Sequence, residues 1–264
     1  MNKKLLGISV VLISLVIFTC LFLRWSSFMA PDQNLFVVGT ASGYAPFVSI
    51  NEQGIYEGFD IDIAQEIAKR LGKKLVLKDL GSMVTLLLAL KQNKIDCVIW
   101  ALSITQERLQ EFAMIHYQGQ EIKKLPLVFW NKIPAGIASI QDLKKYPSAV
   151  ICVEPGSSNE AFLQKFDFVT LKPMDKIVDA ILDIKYGKSL ATVIDPSLMN
   201  DVTAKYPELK VLEIPLDEQW RIFGNGIACN KDNTTIIEQI RQGVEQIKAD
   251  GTVAQLERTW NLKG

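Results

Sequence analysis

The sequence predicts an α/β protein of two lobes, each a β-sheet flanked by helices, and three observations carry that expectation. Short apolar runs of strand length alternate with amphipathic stretches of helical period from Leu35 to the C-terminus. The alternation comes in two successive sets, each with its own series of strands. Hydrophobic residues make up 48% of the 264, ample for a core and too many for a disordered chain.

Taken in order, residues 35–39 read as a strand. Ile63, Ala64, Ile67, Ala68 and Leu71 then recur at helical spacing, with Gly72 as the stop. Residues 75–77 form the next strand, 84–90 an apolar helix, 95–101 a strand and 106–112 a short helix. The second set opens with a strand at 125–130. Ser139-Ile140-Gln141-Asp142 is an acidic capping box, and the strand at 149–153 ends on Glu154-Pro155-Gly156-Ser157-Ser158. Segments 159–166, 168–172, 174–186, 190–194, 197–206 and 209–214 continue the alternation. A strand at 227–230 and helices at 234–249 and 252–260 close the chain. In such a layout a ligand belongs where strand carboxyl ends meet between the lobes.

The first thirty residues stand apart from this pattern. Lys3 and Lys4 precede an apolar run of 19 residues, 5–23, followed by Arg24 and Trp25, which reads as an export signal or a membrane anchor. Ile17-Phe18-Thr19-Cys20 is similar to a bacterial lipobox in which Cys20 is lipidated after cleavage, although Thr19 departs from the usual small residue. Cleavage, lipidation and an uncleaved anchor all stay open. Residues 1–19 contain two lysines and no acids, so the remaining body carries 27 basic against 29 acidic groups. That near-neutral balance argues against nucleic acid as a partner.

Cys97, Cys152 and Cys229 each fall in an apolar strand-like run with no metal-ligand spacing and read as buried thiols; a disulfide between two of them stays open. His116 is the only histidine and no nucleophile motif accompanies it, which leaves it a surface or hinge residue. Gly224-Asn225-Gly226 lacks the third glycine of a dinucleotide fingerprint. No cofactor or metal is expected.

Tyr44-Ala45-Pro46-Phe47, Gly54 and Glu57-Gly58-Phe59-Asp60-Ile61-Asp62 are followed in order by Leu87 with Ala89-Leu90-Lys91, then Lys94-Ile95-Asp96 and Ser103-Ile104-Thr105-Gln106-Glu107-Arg108. Gly156-Ser157-Ser158, Asp195, Gly224-Asn225-Gly226 and Asp250-Gly251-Thr252 complete the series. Across roughly residues 35–262 this ordered set resembles the family 3 solute-binding proteins that serve polar amino-acid ABC importers. The resemblance implies the two-lobed type II periplasmic-binding-protein fold. Lobe one would span 35–118 plus 221–264, and lobe two would be an insertion over 119–220, with crossings near 119–122 and 217–220. It also implies a free amino acid as ligand, an inner-membrane ABC permease as partner, a monomeric exported protein and no catalysis.

A free amino acid carries a carboxylate and an ammonium on one carbon, and a site that desolvates both must supply matched charge. Arg108 suits the carboxylate because a planar guanidinium offers parallel donors, and Thr105 can cap the helix that carries it. In isolation a solvated arginine paired with Glu107 or Glu111 is the simpler reading, and the surrounding motif reverses it. Ser157 and Ser158, with the backbone N–H groups of their loop, could hold the same carboxylate from the opposite lobe, a role compatible with helix capping. Asp195 ends an apolar run at a strand terminus and is by resemblance the ammonium partner; an N-cap role competes. Tyr44, Met83 and Trp100 would form a flat slot that sandwiches a guanidinium between rings, against the alternative of ordinary core packing. Ala101 and Ser103 complete the expected lining. Relatives that bind basic amino acids can carry an aspartate where this chain has Ala41, so Glu154 is the candidate for the side-chain head group.

Arginine is therefore the first expected ligand, with lysine, histidine or glutamine behind it. An enzyme of the same fold, resembling the cyclohexadienyl dehydratases, is the alternative from another class. Asp195 and Glu154 oppose it, because added negative charge repels a dianionic substrate. A sensory domain is a third reading.

Overall fold

A computed structural model describes residues 34–147 and 149–262. The export or anchor segment and Cys20 lie outside the described residues, and no helix among those described is long and apolar enough to cross a membrane. In chain order β1 (Leu35–Thr40) leads through a small hairpin, β2 (Ser49–Ile50) and β3 (Tyr56–Glu57), into α1 (Phe59–Leu71). Then come β4 (Lys74–Asp79), α2 (Met83–Lys91), β5 (Cys97–Val98), α3 (Gln106–Glu111) and β6 (Phe112–Ile122). The second series is β7 (Lys124–Trp130), a 3-10 helix (Ile140–Lys145), β8 (Val150–Val153), α4 (Ser158–Leu163), β9 (Thr170–Pro173) and α5 (Ile177–Lys185). It continues with β10 (Ala191–Val193), a 3-10 turn (Pro196–Leu198), α6 (Met199–Lys205) and β11 (Leu209–Pro215). The chain closes with β12 (Ile222–Asn230), α7 (Thr234–Ala249) and α8 (Thr252–Thr259).

Two five-stranded sheets result, in the orders β4-β1-β5-β12-β6 and β11-β7-β10-β8-β9. In the first, β1 runs parallel to β5, while β12 lies antiparallel to β5 and β6. In the second, β8 is parallel to β9 and β10, and β7 is antiparallel to β10 and β11. The chain leaves the first sheet between Ile122 and Lys124 and returns to it between Pro215 and Ile222.

The helices form where the apolar spacing places them. Phe59, Ile63, Ala64 and Ile67 of α1 are buried, and Gly72 at φ 63 ends the helix by returning its N–H to Ala68 and Lys69. The C-terminal helices come back to this element. Arg70 pairs with Asp250 just beyond α7, and Trp260 Nε1 donates to Asp62 at 2.7 Å just beyond α8. The capping box forms as read: the Asp142 carboxylate accepts from the Ser139 N–H at 3.0 Å and the Ser139 hydroxyl at 2.9 Å.

Several elements differ from the sequence reading: β12 begins five residues earlier than the strand read at 227–230, the β2–β3 hairpin was not read, and two further differences have a local cause. The run 95–101 is a strand only over Cys97–Val98, because Ala101 adopts φ 42 and turns the chain out of the sheet. Residues 112–122, where no strand was expected beyond a crossing, form the eleven-residue strand β6 along the edge of the first sheet. Its polar residues His116, Gln118, Gln120 and Glu121 blur the alternation that would have revealed it.

Candidate ligand-binding site

The parallel strands of both sheets aim their carboxyl ends at one cavity. Tyr44 follows β1, Trp100 and Ala101 follow β5, Glu154 follows β8 and Asp195 follows β10. Met83 opens α2, Ser103 precedes α3, Arg108 lies on α3, and Ser157 and Ser158 open α4. All ten residues singled out from the sequence line this cavity.

Arg108 is 7% exposed. Thr105 Oγ1 accepts from its backbone N–H at 3.2 Å, the cap expected from the sequence. Its guanidinium donates to the Ser103 carbonyl at 2.9 Å and, across the cleft, to the Gly156 carbonyl at 3.1 Å. Among the described residues no carboxylate forms an ion pair with it; Glu111 pairs instead with Lys91 at 2.8 Å. Burial lowers the Arg108 pKa to about 10, opposed chiefly by Glu154.

Both carboxylates opposite bear the mark of burial. Glu154 is pushed up to about 7 by burial and by the neighbouring Asp195, with Arg108 acting in the other direction. Burial also raises Asp195, while Ser197 and Arg108 lower it. Asp195 does cap the following turn, as the competing reading held: its Oδ1 accepts from Ser197 N at 2.8 Å and from Ser197 Oγ at 2.5 Å. The cap engages Oδ1 and the Ser103 side chain also hydrogen-bonds the carboxylate, which keeps further acceptor positions for a ligand.

The wall beside these charges is aromatic, and its shape corrects one expectation. Tyr44 and Trp100 lie with ring centroids 5.2 Å apart at an interplanar angle of 52°. A guanidinium sandwiched between two rings needs a gap of about 7 Å, two van der Waals separations. The two rings therefore pack against each other as one wall, not as the two faces of a slot. Trp100 is 5% exposed, and its Nε1 has no hydrogen-bond partner among the described residues. Burial, Asp195 and Glu154 all push the Tyr44 phenol well up, so it stays protonated and able to donate.

The loop at Gly156 corrects a second expectation. Its N–H groups do not all point at a ligand: Gly156 N donates to Glu160 Oε2 at 2.7 Å and Ser157 N to the Glu154 carbonyl at 3.2 Å. Ser157 Oγ accepts from Glu160 N at 3.1 Å. The Ser158 N–H and the hydroxyls of Ser157 and Ser158 remain as the loop's candidate donors.

Four further residues line the cavity that sequence reasoning missed: Asn159, Ile177, Val193 and Ile194. Asn159 follows Ser158, and Val193 and Ile194 precede Asp195, so adjacency to a chosen residue was the available signal. Ile177 had none. Asp60, 1% exposed, accepts from Ala101 N at 2.5 Å and Tyr117 Oη at 2.6 Å and so supports the turn that presents Trp100. His116 is exposed and belongs to β6, opposite Gly226 of β12, with Nε2 2.9 Å from the Gly119 carbonyl.

Residues 36–263 match the family of bacterial extracellular solute-binding proteins, family 3. The chain belongs to that family. As a member, it binds its solute and does not transform it. The probable ABC transporter arginine-binding protein ArtJ of Chlamydia trachomatis is 38% identical over 229 residues, 86% of each chain. The histidine-binding periplasmic protein of Escherichia coli is 27% identical over 260 residues, 93% of this chain and 96% of the relative. A solved structure of an ancestral arginine-binding protein bound to arginine matches with a TM-score of 0.73 at 29% identity, covering 87% of this chain and 99% of that one. The two sheets thus form the two lobes of the type II periplasmic-binding-protein fold.

In this solute-binding protein Gly156, which has φ 74, is a point of close approach between the lobes. A Cβ there would stand 3.3 Å from Val84 Cγ2 and 3.4 Å from Met83 Cγ on the facing lobe, in a backbone conformation that costs a side chain roughly 1–2 kcal/mol. Gly156→Ala is expected to weaken ligand affinity about tenfold by resisting closure, while thermal unfolding shifts by only a few degrees. Titration calorimetry beside a melting curve checks this, and unchanged affinity refutes it.

Proposed function

We propose that this chain binds free L-arginine between its lobes and delivers it to an inner-membrane ABC permease. The observation that carries the proposal is the charge count of the cavity, one buried guanidinium with no carboxylate ion-paired to it among the described residues, against two carboxylates, Glu154 and Asp195. Arginine has the complementary count of one carboxylate and two cations. Arg108 takes the α-carboxylate with Ser158, Asp195 takes the α-ammonium, and Glu154 takes the side-chain cation beside Trp100 and Tyr44. A neutral amino acid such as glutamine would leave one carboxylate uncompensated in a buried site. The arginine-binding relative at 38% identity supports the same choice. Lysine matches the charge count but lacks the planar group that lies flat on an aromatic face. Histidine is the second reading, favoured by the histidine-binding relative.

In this reading lobe one comprises residues 35–118 and 221–264 and lobe two residues 119–220, a span that includes the hinge crossings near 119–122, the end of β6, and 217–220, and the protein works as a monomer. Tyr44, Met83, Trp100, Ala101, Ser103, Arg108, Glu154, Ser157, Ser158 and Asp195 form the ligand contacts. Residues 1–30 export the chain to the periplasm. The mass of the mature protein distinguishes their removal, lipidation of Cys20 and an intact anchor.

Titration calorimetry with the twenty amino acids tests the assignment. Arginine is expected to bind with about −8 kcal/mol or better, corresponding to a micromolar or tighter Kd. Heat with histidine alone would move the assignment to the second reading, and no heat with any amino acid would refute it.

A further inference from the structure

Cys97 and Cys229 are directly opposed partners on the adjacent antiparallel strands β5 and β12. Opposed residues of such a pair stand about 4.5–5.5 Å apart at Cα and direct their side chains to the same face of the sheet. That spacing falls inside the range of about 4.4–6.8 Å that a disulfide spans. Both side chains are 0% exposed, and the structure describes them as thiols. Cys152, the other described cysteine, belongs to the second sheet, where its Sγ lies 3.5 Å from Asp183. Every strand of the second sheet lies between Cys97 and Cys229 in sequence.

We propose that Cys97 and Cys229 close a disulfide while the exported chain folds, covalently joining β5, which precedes the inserted lobe, to β12, which follows it. The proposal rests on the export reading for its oxidant, a dithiol–disulfide oxidase or a small-molecule disulfide outside the cytoplasm. One cysteine thiolate attacks that disulfide and releases one of its sulfurs as thiolate. The other cysteine thiolate then attacks the mixed disulfide and releases the second. The two protons lost by the cysteines end on the released thiolates, so the protein pair is oxidised by two electrons and the oxidant reduced by two.

Timing follows from burial. In the folded chain burial holds Cys97 well above an ordinary thiol pKa and pushes Cys229 up to about 12, so neither supplies a thiolate and no oxidant reaches them. The bond therefore forms as β12, the last strand, docks beside β5.

The test needs neither ligand nor importer. The full chain, reduced and unfolded, is refolded in a mixture of reduced and oxidised glutathione, quenched in acid, alkylated under denaturing conditions and digested with trypsin. Lys94 and Arg108 bracket Cys97, while Arg221 and Lys231 bracket Cys229, so the link joins peptides 95–108 and 222–231. The expected result is that linked pair, about 2 Da lighter than the sum of the two thiol peptides, with Cys152 alkylated. Alkylated Cys97 and Cys229, or either one linked to Cys20 or Cys152, overturns the proposal. In melting curves, reduction should lower the Tm of the refolded chain by about 10 °C, given the long loop closed. The Cys97→Ala/Cys229→Ala variant should show no such response to reductant; an equal shift in both chains also overturns the proposal. Arginine titration of the same samples is a separate readout: a linked chain that ignores arginine refutes the transport reading and leaves the disulfide standing.

Discussion

Replacing Arg108 with alanine is expected to lower the affinity for every α-amino acid by about 100-fold or more, because truncating one member of a buried charge pair leaves the other charge unpaired. The loss should be indifferent to the ligand's side chain, since the guanidinium meets the part that all amino acids share. Arg108→Lys tests whether charge alone suffices. A lysine keeps the charge but has one nitrogen in place of a fork that reaches both Ser103 and Gly156 carbonyls, at 2.9 and 3.1 Å. Its affinity should fall between those of the native protein and the alanine variant. Calorimetry on samples with native-like melting curves separates a binding defect from a folding defect. Unaltered arginine affinity in Arg108→Ala would remove the carboxylate assignment altogether.

Glu154→Gln should act on cations only. Arginine affinity is expected to drop about tenfold or more, while glutamine, with no side-chain charge, should bind as well as before or better. The same residue predicts a pH dependence. Glu154 titrates at about 7 in the ligand-free cleft, and a bound guanidinium favours its ionised form. Below pH 7 arginine must displace a proton, so its affinity should fall by up to about tenfold per pH unit between pH 7 and 5. The ligand-free fold responds in the opposite sense. A carboxyl whose folded pKa lies above its unfolded value adds stability at low pH and loses it as the pH rises through 7. In Glu154→Gln both dependences should flatten, and a native-like slope in that variant would place the titrating group elsewhere, Asp195 and Asp60 being the next candidates.

Much of the fold was legible because its elements obey one periodicity each. The apolar positions of α1 and the apolar runs at β7, β8 and β11 are unambiguous, and Gly72 marks a helix end for a conformational reason. The edge strand β6 was not legible, since only four of its eleven residues are buried and no clean alternation survives. In the site, ionisable residues at strand ends announced themselves, whereas Ile177 reaches the cavity only through the packing of α5. The ring arrangement was beyond the sequence for a similar reason. Side chains placed at the ends of β1 and β5, neighbours in one sheet, are free to touch each other before they touch anything else. The donors at Gly156 and Ser157 were miscounted because Glu160 and Glu154, both nearby in the chain, already engage them.

The guanidinium of Arg108 already reaches one carbonyl on each lobe. Capture of an amino acid at this point is then an exchange rather than an addition, in which a charged acceptor replaces neutral ones on the same donors. The heat released will reflect that difference between acceptors, and it will be smaller than a tally of new hydrogen bonds implies.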